Sequence, residues 1–226
     1  MKRVTEPELM SEPSQVKAYA EADFSYTEQQ IITKLETFLN QSSKTLDQNT
    51  VIIDLGCGPG NVTERIAMSW PTAKIFGIDG SKEMIKVAKR RACFLKENFR
   101  IKNLEYLELN ISNLSKEFLK IADCADVVVS NSLLHHIHNP EVFWNAVKNI
   151  SSGGTVQYHR DLRRPLSYAQ VLNIQKKYLP DAPSVLKNDY ICSLQAAFSV
   201  NEIKEQLVIS GLDQLNVFEV EERYLE

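Results

Sequence analysis

The chain has 226 residues, 43% hydrophobic and 24% charged, with a formal net charge of -3. That is enough for one α/β domain with a sizeable core, and the slightly acidic balance gives no whole-molecule attraction to nucleic acid or to an anionic membrane. Cys57, Cys93, Cys124 and Cys192 form no CxxC pair, no apolar run approaches a membrane span, and the N-terminal MKRVTEPELMSEP lacks an apolar signal core. Neither a disulfide framework nor a zinc site is indicated, and the expected compartment is the cytoplasm.

Residues 1–12 read as a polar arm that is ordered only if it folds back on the body. Helical spacing follows over 13–24 and, more strongly, over 27–40, where Ile31, Ile32, Leu35, Phe38 and Leu39 share one face. Val51, Ile52 and Ile53 are β-branched and apolar, as a strand buried on both faces requires. Asp54 ends that run. Gly56, Gly58 and Gly60 then recur at every second position, which lets the backbone turn tightly and approach a ligand without Cβ clashes. From Asn61 the period becomes helical until Pro71. Strand, glycine turn and helix open a nucleotide-binding α/β unit. The dinucleotide pattern G-x-G-x-x-G is not matched, because the third glycine is displaced; this argues against an NAD-binding oxidoreductase. A turn serving only the strand-to-helix connection is the plainer alternative.

A second strand spans 74–79. Its last residue, Asp79, lies about twenty residues past the glycine turn, where an acid can accept from both hydroxyls of one ribose. Ser81 caps the next helix, with Glu83 in its first turn and Met84, Ile85 and Ala88 on its buried side. That helix carries Lys86, Lys89, Arg90 and Arg91, followed by Lys96, Arg100 and Lys102. A nucleic-acid patch would need exposed aromatics among these charges. Phe94, beside Leu95, reads as core, so the run is taken as a solvated face.

Strands are expected at 104–110 and 125–130, the second followed by NSLLHHIHNP. A helix over 141–150 turns Val142, Phe143, Ala146, Val147 and Ile150 inward. A glycine turn precedes a fifth strand over 155–162. Helices follow at 168–178 and 191–198, joined by an irregular link. Ser199 and Glu202 form a capping box for a helix ending at Gly211. One final strand over 215–225 leaves open how the C-terminal sheet edge is completed.

The form D-L-G-C-G-P-G at Asp54–Gly60, the acid at Asp79, the segment after the fourth strand and the paired glycines before the fifth resemble class I S-adenosylmethionine (SAM) dependent methyltransferases of the small-molecule type, over roughly residues 30–165. The resemblance implies an α/β, doubly wound, mainly parallel Rossmann-like sheet in order 3-2-1-4-5 with a C-terminal edge beyond it. It implies one SAM-binding domain over 1–226, with a helical cap at 1–45 and a substrate lid at 166–198. The implied activity is transfer of the sulfonium methyl to an O, N or C nucleophile of a small molecule, releasing S-adenosylhomocysteine (SAH). The implied cofactor residues are Asp54, Gly56, Cys57, Gly58, Gly60, Asn61, Asp79, Gly80, Ser81, Met84, Asn110, Ile111, Ser130 and Asn131. Asn110 and Ser112 stand where the family often has an acid against the adenine amino group. No Pro-Pro-aromatic signature follows Asn131 and no Pro-Cys nucleophile is present, so nucleic acid is not the expected partner. A tRNA-modifying methyltransferase and a non-catalytic SAM-binding partner protein remain the rivals.

Within that resemblance His136 is the candidate general base, an imidazole titrating near neutral pH; packing under the sheet end is the alternative. His135, Arg163 and Arg164 are candidate acceptor-binding residues, the guanidiniums suiting a carboxylate or phosphate. Salt bridges to Asp161 or to a C-terminal acid are their plainer use. No metal is expected, because no fourth ligand lies near the 135–138 group. The acceptor and the oligomeric state stay open.

Overall fold

The computed structural model describes residues 1–7, 9–99, 101–118 and 123–226, with backbone alone at Ser115 and Lys116. The chain divides into two compact units. The first comprises Asp23–Asn131 and Ala146–His159; the second comprises Met1–Ala22, Ser132–Asn145 and Arg160–Glu226.

In the first unit, α2 (Ser25–Gln41) precedes β1 (Val51–Leu55), α3 (Asn61–Ser69), β2 (Lys74–Asp79), α4 (Lys82–Phe99), β3 (Leu104–Glu108), the short α5 (Leu114–Phe118) and β4 (Ala125–Asn131). After α6 (Pro140–Ile150) comes β5 (Ser151–Leu162), and each of the two belongs partly to each unit, Arg160–Leu162 of β5 lying in the second. The strand order is β3-β2-β1-β4-β5, as expected. β1 pairs in parallel with both β2 and β4, placing Ile52 beside Ile75 and Val127. Every residue of β1 is buried, which is why its sequence is a continuous apolar run rather than an alternating one. Ile31, Ile32, Leu35 and Leu39 of α2 join Ile52, Ile66, Val127 and Val129 in one core. Each such side chain contributes about 1.5–3 kcal/mol when fully buried.

Two expectations change here. β5 begins at Ser151, through the glycine pair, because the Ser152 amide donates to Thr155 Oγ1 at 2.8 Å and that hydroxyl donates to the Ala125 carbonyl at 2.7 Å. Phe94 is not core: it is 59% exposed and Phe99 60%, with ring centroids 6.3 Å apart. The buried side of α4 is Met84, Ile85, Ala88 and Leu95, and Phe94 sits one position, about 100°, around the helix from Leu95. Arg100 of the basic run lies outside the described residues.

The second unit holds α1 (Pro13–Glu21), a 3-10 turn at Leu134–His136, α7 (Tyr168–Tyr178), α8 (Ser184–Ala196), α9 (Val200–Ser210), β6 (Glu219–Val220) and β7 (Tyr224–Leu225). α8 starts well before 191. Its buried set mixes Leu186 and Leu194 with Ser193 and Ala196, so it shows no clean apolar stripe to betray it. The capping box is present: the Ser199 hydroxyl accepts from the Glu202 amide, and the Glu202 side chain accepts from the Ser199 amide. Gly211 ends α9 at φ 65.

The C-terminus corrects the expected single strand. β6 and β7 form an antiparallel hairpin, and Asp161 and Leu162 at the end of β5 pair with Leu225 and Tyr224 of β7. The hairpin turns at Glu221, which takes φ 53 without being glycine, so no turn residue marked it in the sequence. The N-terminal arm is also fixed. The Val4 amide donates to the Gln195 carbonyl at 3.0 Å. Arg3 donates to the carbonyls of Ala196 at 2.6 Å, His135 at 3.0 Å and Ile137 at 3.1 Å, and lies over the Phe198 ring. No helix among the described residues is long and apolar enough to cross a membrane.

Candidate active site

In the first unit the order of strands reverses between β1 and β4, and ligands of open α/β sheets bind outside the carboxyl ends of the strands at such a point. The residues marked in the sequence gather there by chain position: Asp54 is the last but one residue of β1, Asp79 ends β2, and Ser130 and Asn131 end β4. Gly56, Gly58 and Gly60 have φ of 67, 54 and 94, the left-handed region that costs a residue with a Cβ roughly 1–2 kcal/mol. The turn is tied to its neighbour, since the amides of Gly56 and Cys57 both donate to the Ile78 carbonyl, at 2.8 and 3.0 Å.

Asp79 ties it again. One carboxylate oxygen accepts from the Gly58 amide at 2.9 Å and the other from the Ser81 amide at 2.7 Å. Each oxygen keeps a second lone pair, so the acid is fixed by backbone while still able to accept from a ligand's hydroxyls. Burial raises its pKa, against the lowering effect of these two amides. Asp54 faces the other way chemically. It is 1% exposed, and its carboxylate accepts from the Thr63 hydroxyl at 2.7 Å. Burial pushes its pKa up to about 7, opposed by Thr63 and reinforced by the charge of Asp79.

Several marked residues already have partners. Asn61 donates to Glu28 at 2.8 Å and accepts from Arg91, whose guanidinium also grips Glu64 at 2.8 and 2.6 Å. Asn110 caps the 3-10 turn at Ile111–Asn113, its carbonyl accepting from the Ser112 amide at 2.9 Å and hydroxyl at 2.7 Å. Its amide nitrogen is the group left to meet a ligand. Ser81 and Met84 are buried, and the Ser81 hydroxyl accepts weakly from the Met84 amide at 3.4 Å. Ser130 bonds His159 Nδ1 at 2.8 Å.

Two residues near this site escaped the sequence reading. Tyr106 of β3 lies on the turn: a Cβ at Gly60 would stand 2.3 Å from its hydroxyl, and one at Gly77 2.5 Å from its ring. Both glycines therefore make room for Tyr106. The other is His159, which only the β4–β5 neighbourhood could reveal.

The remaining marked residues lie in the second unit. His135 is 2% exposed; its Nδ1 donates to Asp161, and its backbone amide donates to the same carboxylate at 3.2 Å. Burial pulls its pKa down, but Asp161 and Glu6 outweigh that and hold it above the ordinary imidazole value. Burial and the neighbouring His135 drive His136 down to about 3, so it is a neutral ring and a poor proton acceptor at neutral pH. Arg163 pairs with Glu219. Arg164 Nη2 donates to both carboxylate oxygens of Glu202, at 2.7 and 2.8 Å, and Nη1 donates to the Ala197 carbonyl at 3.1 Å. Both guanidiniums are paired locally, with C-terminal and capping acids rather than Asp161.

A sheet that reverses at β1/β4 and carries a left-handed glycine turn locked to the acid ending β2 defines a doubly wound, Rossmann-like α/β protein. The profile of the family described as "Methyltransferase domain" matches residues 46–207, and the chain belongs to that family, whose cofactor is SAM. The trans-aconitate 2-methyltransferase of Mycolicibacterium gilvum is 28% identical over 108 residues, covering 47% of this chain and 36% of that protein. The malonyl-[acyl-carrier protein] O-methyltransferase of Bacillus cytotoxicus is 33% identical over 91 residues, covering 40% of this chain and 28% of its own length. The chain thus spans about a third or less of these curated relatives. Among solved structures, the plantazolicin methyltransferase BpumL in complex with a pentazolic desmethylPZN analog and SAH superposes with a TM-score of 0.68 at 19% identity, covering 91% of this chain and 71% of that one. A SAM dependent methyltransferase from Aquifex aeolicus superposes at 0.64 with 17% identity and 96% of both chains. At such identities these two show the shared fold.

Proposed function

We propose that this chain transfers the sulfonium methyl of SAM to a carboxylate oxygen of a small-molecule acid, giving a methyl ester and SAH. The observation that carries the cofactor half is the coupling of Asp79 to the glycine turn through the Gly58 amide. Asp79 is then the ribose acceptor, the turn Gly56–Gly60 the support for the amino acid portion, and Asn110 with Ile111 the adenine edge. Bound SAM supplies an already activated methyl group. The residues have only to hold, orient and exclude water, and positioning of this kind contributes about 7–11 kcal/mol.

The carboxylate half rests on the relatives and on the proton balance. Trans-aconitate and a malonyl group both carry free carboxylates. A carboxylate at neutral pH is already deprotonated and takes the methyl as an anion, so sulfonium becomes neutral sulfide and no proton moves. No general base is then required, which agrees with the low basicity of His136. The acceptor determinants are proposed to fall in the 166–198 segment, now seen as α7, α8 and their link.

A methyl-transfer assay with labelled SAM tests this, run in parallel on di- and tricarboxylic acids, on amines and phenols, and on total RNA. The expected product is label in a base-labile methyl ester from the acid panel. Label confined to RNA, or to amines and phenols, contradicts the carboxylate reading.

A further inference from the structure

We propose that Glu6, His135 and His136 form a site for one divalent transition-metal ion of the zinc class. All three lie in the second unit. Glu6 Oε1 stands 3.5 Å from His135 Nε2 and 3.4 Å from His136 Nδ1, and the three atoms fall within 4.8 Å of one another. In a tetrahedral site with bonds of 2.0–2.1 Å, neighbouring ligand atoms are about 3.4 Å apart. The two edges at Glu6 therefore have the length a bound ion would impose and are too long for good hydrogen bonds.

The chemistry of these atoms points the same way. Glu6 Oε1 and His136 Nδ1 are buried side-chain atoms without a hydrogen-bond partner among the described residues. The Pro7 carbonyl accepts from the His136 ring, which puts the proton on the other nitrogen and leaves Nδ1 as a lone pair aimed at a carboxylate. His135 gives its Nδ1 proton to Asp161, which turns Nε2 toward the same carboxylate. Two imidazole nitrogens and one carboxylate oxygen converge there. A carboxylate behind one histidine also fixes the tautomer and raises ligand basicity, as outer partners of metal-bound histidines do. Glu6, Asp161 and Asp189 act on this cluster against one guanidinium, that of Arg3. The carboxylates outnumber the guanidinium, an imbalance that a divalent cation would offset.

The ligands are also held in place. The arm is anchored before Glu6 by Val4 and Arg3, and His138 Nε2 meets the Glu6 carbonyl at 2.6 Å. Two nitrogens and one oxygen leave a fourth position open, and the His136 side chain keeps 17% exposure as a route in. The ion would clamp the arm onto the turn that follows β4. The sequence hid this because Glu6 is far along the chain from the histidine pair.

The full-length protein, stripped with EDTA and desalted, is titrated with Zn2+ and separately with Co2+, and the bound metal is counted by mass spectrometry. One ion per chain is expected, with Co2+ giving the visible absorption of a four-coordinate nitrogen and oxygen site. Glu6→Gln and His136→Gln should each lose at least ten-fold in Zn2+ affinity while keeping the wild-type circular dichroism. Asp161→Asn, which leaves all three ligands, should lose about 10–100-fold. Absence of stoichiometric metal in the wild type, or unchanged affinity in Glu6→Gln and Asp161→Asn, overturns the site.

Discussion

Asp79 and Asp54 lie at the carboxyl ends of adjacent strands, one last and one last but one, yet their surroundings give them different jobs. Asp79 is locked by two backbone amides and presents its remaining lone pairs. Asp79→Ala should weaken SAH binding by about 1.5–3 kcal/mol, the range for hydrogen bonds to a charged group, and titration calorimetry reads it directly. Asp54 instead predicts a pH dependence of stability. Its folded-state pKa is about 7 against an ordinary value of 3.8. Between those values the folded chain holds a proton that the unfolded chain has released, so stability falls as pH rises through the window and levels off above about 7. The slope is worth about 2–3 kcal/mol between pH 5 and 7. Asp54→Asn keeps the Thr63 bond through the amide oxygen and should flatten the melting temperature across that range. Parallel curves for variant and wild type would remove Asp54 as the cause. Position and residue type made both acids legible in the sequence. Their contrast was not, because it depends on Thr63 and on the amides that the fold brings up.

At the scale of the element, the glycine turn and the capping box were readable because each is local: both lie within a few residues and follow backbone geometry. The β6–β7 hairpin and the start of α8 were not, since one turns on a left-handed glutamate and the other has no apolar stripe. Tyr106 shows a third kind of miss, a side chain whose use is set by glycines on two other elements. Gly60→Ala should destabilise for two reasons, a Cβ driven against the Tyr106 hydroxyl and a left-handed φ of 94. Pairing it with Tyr106→Phe should recover part of the loss, and no recovery would leave backbone strain as the whole effect. Arg164 makes a separate test in the second unit. Its planar fork spans two partners: Nη2 holds both oxygens of Glu202, the acid that also caps α9, and Nη1 holds the Ala197 carbonyl. Arg164→Ala should cost about 1.5–3 kcal/mol in chemical denaturation, and Arg164→Lys should recover only part of it, because a single ammonium cannot reach Glu202 and the Ala197 carbonyl as the two guanidinium nitrogens do. An equal stability for Arg164→Ala would return this residue to the acceptor site as a candidate.

For the molecule as a whole, the strand order and the family follow from motifs spread over the first two thirds of the chain, and the family profile runs from 46 to 207. The ends carried little signal. The arm at 1–7 is polar and short, and its anchoring comes from backbone carbonyls of residues about 130–190 positions away, which no local pattern encodes. The acceptor is the least legible feature for a chemical reason: SAM brings its own activation, so no fixed catalytic group has to appear in the sequence. The claim on which the account depends is that the glycine turn and Asp79 together hold this cofactor. Titration calorimetry of SAH into the wild type and into Asp79→Ala tests it most directly. The account predicts one site per chain, with about 10–150-fold weaker binding in the variant. No binding to the wild type, or equal affinity for the two proteins, would contradict it.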